Sequence, residues 1–333
     1  MPLFPELDGI VFRCFAGPTD YVAMARIINA SKEADGDERT DTPDDLARAY
    51  VHLQRCDVTT DMLVVEVAGD PVGYSRVWWD QEEPGPRVYN QVCFLDPAHH
   101  GRGIGAAMLT WNEERLREIG ATHEYDGERI FRTFGNDANE RSRRLFADAG
   151  YVPDTYFADM VRPTVVDLPD ASLPAGVEMR PVADDQLRTI FDAEAEAFRD
   201  HWGFVEPTEA YYREWLDFPH TDHSLWKIAW HGDEVVSQVR SFVNTAENEE
   251  YERARGWTEF ISTHRDWRRK GVATALIVAS IGDLADRGMT EVALGVHTEN
   301  PNGAFTLYEG LGYAMVNRWT VFRKEMEEAQ RRT

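Results

Sequence analysis

One phrase occurs twice in this chain. HGRGIGAAML at residues 100–109 and RRKGVATALI at 269–278 each run from a basic start through glycine into an apolar-periodic segment. A repeat constrains fold strongly, because each copy has to build its own packed layers. The repetition extends well past the phrase. VCFLDPAHHGRGIGAAMLTWNEERLREIGA is followed by ERIFRTFGNDANERSRRLFADAGY and YFADMVRP; EFISTHRDWRRKGVATALIVASIGDLADRG is followed by TEVALGVHTENPNGAFTLYEGLGY and RWTVFRKEM. His100 and Arg268 are 168 positions apart and Tyr151 and Tyr313 are 162 apart, so the first copy holds about six extra residues near ATHEYDGER.

The segments after the glycines share a helical register. Ala273, Leu276, Ile277, Ser280 and Leu284 form one stripe; the first copy repeats it as Gly105, Met108, Leu109, Asn112 and Leu116. The segments before the glycines, YNQVCFL and WTEFIST, are short and rich in strand formers. Upstream of each lies a hairpin signal, LVVEVAGDPVGYSRVWW turning at Gly69-Asp70 and WKIAWHGDEVVSQVRSFV turning at Gly232-Asp233. Helical patterns precede these at 20–31, 43–54, 184–198 and 207–217. Each half thus reads strand, two helices, hairpin, strand, glycine loop, helix, strand, helix, strands. Pro163, Pro169 and Pro174 interrupt regular structure between the halves. The expected division is an N-terminal domain over 1–162, a linker over 163–175 and a C-terminal domain over 176–333.

A length of 333 residues suits two such domains. No apolar run is long enough to cross a membrane. MPLFPELDGIVFRCF lacks the basic start and apolar core of a signal peptide. Cys14, Cys56 and Cys93 are odd in number and widely spaced, which argues against disulfides and a thiolate zinc site and for a reducing, cytoplasmic setting. A net charge of −24 disfavours nucleic acid as a partner. The acidic runs at 33–45 and 246–253 read as solvated loops. His99-His100 lacks further ligands at fixed spacing, so no metal site is expected.

A strand that ends in a glycine turn and opens a helix is an anion site. The first helical N–H groups have no backbone partner and the helix dipole adds positive potential. Arg268, Arg269 and Lys270 add local charge, and a distant acidic surface is screened over about 8 Å at physiological salt. The glycine pattern fits neither a dinucleotide fingerprint, which needs G-x-G-x-x-G early in a βαβ unit, nor a phosphate loop of the form G-x-x-x-x-G-K-[ST].

Arg268-Arg269-Lys270-Gly271-Val272-Ala273 resembles the acyl-CoA pyrophosphate loop, Arg/Gln-x-x-Gly-x-Gly/Ala, of the GNAT superfamily of N-acetyltransferases. His100-Gly101-Arg102-Gly103-Ile104-Gly105 resembles it except at the first position. A later signature of a small residue, an LY pair and a glycine-aromatic pair appears as Ala304, Leu307-Tyr308 and Gly312-Tyr313. Its counterpart is Ser142, Leu145-Phe146 and Gly150-Tyr151. The resemblance covers both halves. It implies an α/β (α+β) fold of two tandem domains, each a mixed, mostly antiparallel sheet flanked by helices. It also implies acetyl-CoA, or another short acyl-CoA, as cofactor. The cofactor-binding residues it implies are Ile261, Ser262, Thr263, Arg268 to Ala273, Thr274 and Asn302 in the second half. In the first half they are Leu95, His100 to Gly105 and Ala106.

Acyl transfer to an amine needs a base, because an alkyl ammonium with a pKa of about 10.4 is almost wholly protonated at pH 7. It also needs donors for the oxyanion and a proton for the leaving thiolate. In the family a Tyr of the LY pair commonly gives that proton, which points to Tyr308 against Phe146. A carboxylate on the preceding strand is often the base, which points to Glu259; counting nine residues back from His100 gives Gln91. Strand alternation places Glu259 on one face with Ile261 and Thr263. Three positions therefore favour the second copy as catalytic and the first as degenerate. The segment joining the first two helices commonly covers the acceptor, which brings in His201, Trp202 and Tyr211, with His297 on the strand of EVALGVHTEN. The expected activity is acetyl transfer to the amine of a small molecule by direct attack. The alternatives are a non-catalytic acyl-CoA sensor and a protein N-acetyltransferase.

Overall fold

The computed structural model describes residues 1–327. The chain packs as two units, Met1–Thr155 with the segment from Trp319, and Tyr156–Arg318. The first unit holds β1 (Ile10–Arg13), α1 (Tyr21–Ala34), α2 (Pro43–Val51), β2 (Met62–Val67), β3 (Asp70–Gln81), β4 (Arg87–Leu95), α3 (Ile104–Ala121), β5 (Arg129–Asn136) and α4 (Glu140–Asp148). β6 (Val152–Arg162) leads into the second unit. There follow β7 (Val177–Arg180), α5 (Leu187–Phe198), α6 (Glu209–Leu216), β8 (Trp226–His231), β9 (Glu234–Phe242) and α7 (Thr245–Glu250). The last elements are β10 (Arg255–Thr263), α8 (Val272–Asp286), β11 (Glu291–His297), α9 (Ala304–Gly310) and β12 (Ala314–Glu325).

Local chemistry explains many of these boundaries. Thr42 and Asp45 form a reciprocal capping box at the start of α2. The β2–β3 turn is Ala68-Gly69, one residue earlier than the sequence suggests, with both φ angles positive (54° and 89°) as the primed hairpin turn requires. The run 246–253 is not simply a solvated loop. Asn244 caps the short helix α7, and Glu247 turns inward to accept from Trp257 Nε1 at 3.1 Å and Arg253 Nη2 at 2.6 Å. The run 33–45 likewise buries Asp37.

In the first unit β1, β2, β3 and β4 pair antiparallel in that order, and β4 pairs parallel with β5 only over Arg87–Asn90. In the second, β7, β8, β9 and β10 pair antiparallel, and β10 meets β11 in parallel only over Arg255–Trp257. Past these short ladders the strands part, and α3 or α8 starts from the end of the diverging strand. The strand that flanks β5 or β11 comes from the close of the other sequence half. β5 pairs with Trp319–Glu325 of β12, and β11 pairs with Phe157–Arg162 of β6. A cut at 163–175 therefore does not follow the packing, because each sheet is completed by the closing strand of the other sequence half.

The expected helical stripes face the cores. Leu276, Ile277, Ser280 and Leu284 are fully buried, as are Met108, Asn112 and Leu116. On the opposite face of the second sheet Arg240 is buried between Trp215, Trp226 and Phe260, and Glu194 of α5 accepts from its Nε and Nη2 at 2.8 and 2.9 Å. Glu194→Ala leaves a buried guanidinium unpaired, and we expect it to cost roughly 3–5 kcal/mol. Urea denaturation checks this; a loss near zero would show that Arg240 re-solvates. Among the described residues no helix is long and apolar enough to cross a membrane.

Candidate active site

The site of the second unit begins at an irregularity in β10. Glu259 pairs with Arg240, but the next ladder pair is Ser262 with Gln238, so two residues of β10 face one of β9. Phe260 sits in the bulge at φ 51°, a region that bulky residues rarely occupy. The bulge changes two expectations. First, it breaks strand alternation. Glu259 shares a face with Ser262, through Arg240 and Gln238, rather than with Thr263, which pairs with Ser237. Second, it changes the match between copies. β4 pairs with β3 without interruption from Gln81↔Arg87 to Gly73↔Leu95. Thr258 then corresponds to Gln91, and the two do the same job: Thr258 Oγ1 meets Tyr313 Oη at 2.8 Å, and Gln91 Nε2 donates to Tyr151 Oη at 2.6 Å. The counterpart of Glu259 is Val92.

Beyond the bulge, Ile261, Ser262 and Thr263 line a cavity of about 650 Å³. A short turn at Arg265–Trp267 leads to the glycine loop. Arg269 at φ 59° and Gly271 at φ 80° turn the chain into α8. A Cβ at Gly271 would meet no atom within 4 Å, so backbone conformation rather than space calls for glycine there. No side chain caps α8, which leaves the N–H groups of its first turn aimed at the cavity wall formed by Val272, Ala273 and Thr274. Arg268 is pinned by Thr263 O, Ala197 O, Asn302 Oδ1 and Asp200 Oδ2 at 3.1–3.3 Å. Asn302 and Arg269 also line the cavity. Lys270 is not among the lining residues; its Nζ lies over the ring of Trp267, which is, at 4.8 Å. Asp200 competes with any incoming anion for Arg268. Since an exposed pair is worth about 0–1 kcal/mol, Asp200→Asn is expected to tighten the binding of an anionic ligand at this loop by up to roughly fivefold in calorimetry; weaker binding would mean that Asp200 orders the loop instead.

Tyr308 of α9 closes the cavity beside Ile261 and Thr263. It is buried, and its hydroxyl makes no hydrogen bond to other described residues. Burial, reinforced by the Glu259 charge and Tyr313, holds its phenol above the usual range and so in the acid form. Glu259 stands behind this wall, where its Oε1 accepts from Gly295 N at 2.9 Å in the gap between β10 and β11. His201 lines the cavity, and His297 lies 5.3 Å behind it, ring to ring. Trp202 is in the same cluster, 5.9 Å from His297. Tyr211 is elsewhere: its ring packs on Phe191 at 6.0 Å, and it does not reach the cavity. Sequence reasoning missed Phe198 and Trp267, which line the cavity, and Phe157, which backs it; only their aromatic character marked them.

In the first unit Gly101 and Gly103 adopt φ 77° and 79°, and Gly103 opens α3 as Gly271 opens α8. There the loop is dressed differently. Arg102 Nη1 contacts His99 Nδ1 at 3.0 Å, and His100 lies near Asp35, which Asn139 holds at 3.1 Å. Leu95 and Ile104 pack into the core, Gly105 lies close against Leu145, and Ala106 is exposed. Phe146 occupies the place of Tyr308, packed on Tyr151 and Phe322.

Comparison with known proteins finds one family twice in the chain. The acetyltransferase (GNAT) family profile matches residues 24–151 and again 187–313. A mycothiol acetyltransferase of Thermobispora bispora is 26% identical over 238 residues, which span 68% of this chain and 72% of that protein. Another, from Salinispora arenicola, is 26% identical over 309 residues, 91% of this chain and 92% of that protein. Among solved structures, a GCN5-related N-acetyltransferase from Sphaerobacter thermophilus superposes with a TM-score of 0.71 at 24% identity, covering 98% of both chains. A tandem GNAT protein from the clavulanic acid biosynthesis pathway gives 0.69 at 15% identity, over 96% of this chain and 100% of that one.

Proposed function

Since this chain belongs to the GNAT acetyltransferase family and carries its domain twice, we propose that acetyl transfer from acetyl-CoA to the amine of a small-molecule acceptor takes place in the C-terminal unit. That it is an N-acetyltransferase of the acyl-CoA-using kind follows from the family. The unit, the acceptor class and the residue roles are our reading. The observation that carries it is the pairing of a buried, protonated Tyr308 with the glycine-loop helix in one cavity, where the first unit has Phe146.

The residues present suit the cofactor. The uncapped N-terminus of α8, the open backbone at Gly271 and the guanidinium groups of Arg268 and Arg269 would hold a pyrophosphate. Bound acetyl-CoA supplies the activated acetyl thioester. The backbone past the Phe260 bulge is turned toward the cavity at Ile261–Thr263, where N–H groups oppose developing negative charge. Tyr308 keeps a proton at Oη for a leaving group. Glu259, reached through water, receives the proton of the amine. The first unit keeps the anion loop, including His100 to Ala106, but has Val92 and Phe146 in place of these groups.

The test is acetyl-CoA calorimetry with thioester turnover, on the intact protein and on Gly271→Glu. The reading expects the variant to lose both one binding site and all amine-dependent turnover. Turnover that survives would move the chemistry out of the C-terminal unit. Binding without turnover against any amine, a mycothiol precursor included, would favour a sensor.

A further inference from the structure

The acceptor end of the cavity is built on a residue from the exchanged strand. Phe157 lies on β6 directly opposite His297 on β11, and their rings stand 5.0 Å apart at 32°. Trp202 packs edge-on against Phe157 at 5.9 Å and tilts against His297 at the same distance. His297 in turn abuts His201, whose ring also meets Phe198 edge-on at 5.4 Å. Of these five rings, His201 and Phe198 line the cavity. On the acyltransferase reading, we propose that Phe157 is a positioning residue for the acceptor: by holding His297 and Trp202 against His201, it makes that end of the cavity a ring wall fitted to an amine carried on an apolar or ring-shaped body.

The wall has a defined chemistry. His201 Nδ1 lies 3.0 Å from Trp202 O, and a carbonyl only accepts, so this nitrogen carries the proton and the ring orientation is fixed. Burial lowers the pKa of both imidazoles, and the two repel each other's charge; Glu299 acts weakly the other way on His297. The carboxylate next in sequence, Asp200, is held by Arg268 and Arg265. At neutral pH the two imidazoles are therefore uncharged, and at this end an arriving ammonium meets ring faces. The cavity's guanidinium groups, Arg265, Arg268 and Arg269, line the loop side, with Arg268 and Arg265 paired to Asp200. A strongly hydrated amine would lose its water there without replacement.

Phe157→Leu and Phe157→Tyr test this in the full chain. The first readout is the dissociation constant of phenethylamine and of ethanolamine with CoA present, followed by tryptophan fluorescence. The wild type should prefer phenethylamine; Phe157→Leu should weaken it by roughly tenfold, the weight of an aromatic contact. Phe157→Tyr should restore it, and CoA affinity should not change. The second readout is NMR titration of the imidazoles, where His297 and His201 should titrate higher in Phe157→Leu than in the wild type. Equal affinity of the wild type for the two amines, or no measurable affinity for either, would overturn the acceptor class. A matching loss of CoA affinity in Phe157→Leu, or unmoved titrations, would reduce Phe157 to a core residue. Failure of the acyltransferase reading would show separately, as a wild type that binds no acetyl-CoA.

Discussion

Tyr308→Phe should lower kcat by about a hundredfold to ten-thousandfold, the usual weight of a positioned proton donor, while acetyl-CoA binds as before. The fold should not suffer. The hydroxyl has no hydrogen-bond partner among the described residues, and removing such a group from a buried site is close to neutral for stability. The protein already carries the control, because the first unit accommodates Phe146 at the same place. Stopped-time thioester assays on variant and wild type decide the matter; equal kcat would remove Tyr308 from the chemistry. The pH profile adds a second reading. Burial and the Glu259 charge both raise the Tyr308 pKa, so the acid form persists above the ordinary phenol range near 10. Glu259→Gln removes the second of these causes. The alkaline limb of kcat should then move toward lower pH, on top of any loss of rate.

A fragment of residues 176–333 should not fold, whereas Tyr156–Arg318 should. The first lacks Phe157–Arg162, the only strand that pairs with the free side of β11 among the described residues. It would leave a sheet edge exposed and strip Ala158, Met160 and Val161 from the cores. It would also lose Arg162, which is buried and donates to the carbonyls of Leu311 and Val166 at 2.8 and 2.7 Å and also to that of Thr164. At about 1.5–3 kcal/mol for each large apolar side chain, Met160 and Val161 alone account for about 3–6 kcal/mol, a large share of a domain's total of about 5–15 kcal/mol. Thermal melts by circular dichroism compare the two fragments. A cooperative melt from 176–333 would show that β11 tolerates a bare edge.

Much of this architecture was legible in the chain. The stripe from Leu276 to Leu284, the hairpins and the glycine loops rest on short-range patterns, and short-range physics writes those patterns. What was hidden depends on which distant segment lies beside which. Nothing in TYFADMVRP tells that Phe157–Arg162 pairs with β11 and not with the preceding strands. Nothing in TEFIST marks Phe260, since bulges are usually read from glycine or proline and here the residue is aromatic. Counting residues back from the glycine loop therefore placed Glu259 opposite Gln91, one position off. Tyr211 failed for a similar reason: a helical position tells which side chains share a face, not which neighbour that face meets. That Tyr308 and Arg268 lie at one cavity was readable because their spacing from glycines is set within a single turn of chain.

The uninterrupted β4 has a practical consequence for anyone who would build the second unit's cavity into the first. Gln91→Glu with Phe146→Tyr would aim the new carboxylate at Tyr151, where Gln91 now points; the position that matches Glu259 is Val92. The two copies differ there by an added residue, at the Phe260 bulge, as well as by an exchanged one, Glu259 against Val92. A residue added between Val92 and Cys93 would have to be taken up as a bulge, as at Phe260, to leave Gln91 and Val92 facing as they do now. Evolution by point mutation crosses that step poorly. A copy without the extra residue is therefore hard to convert, by substitution, into one that carries the bulge.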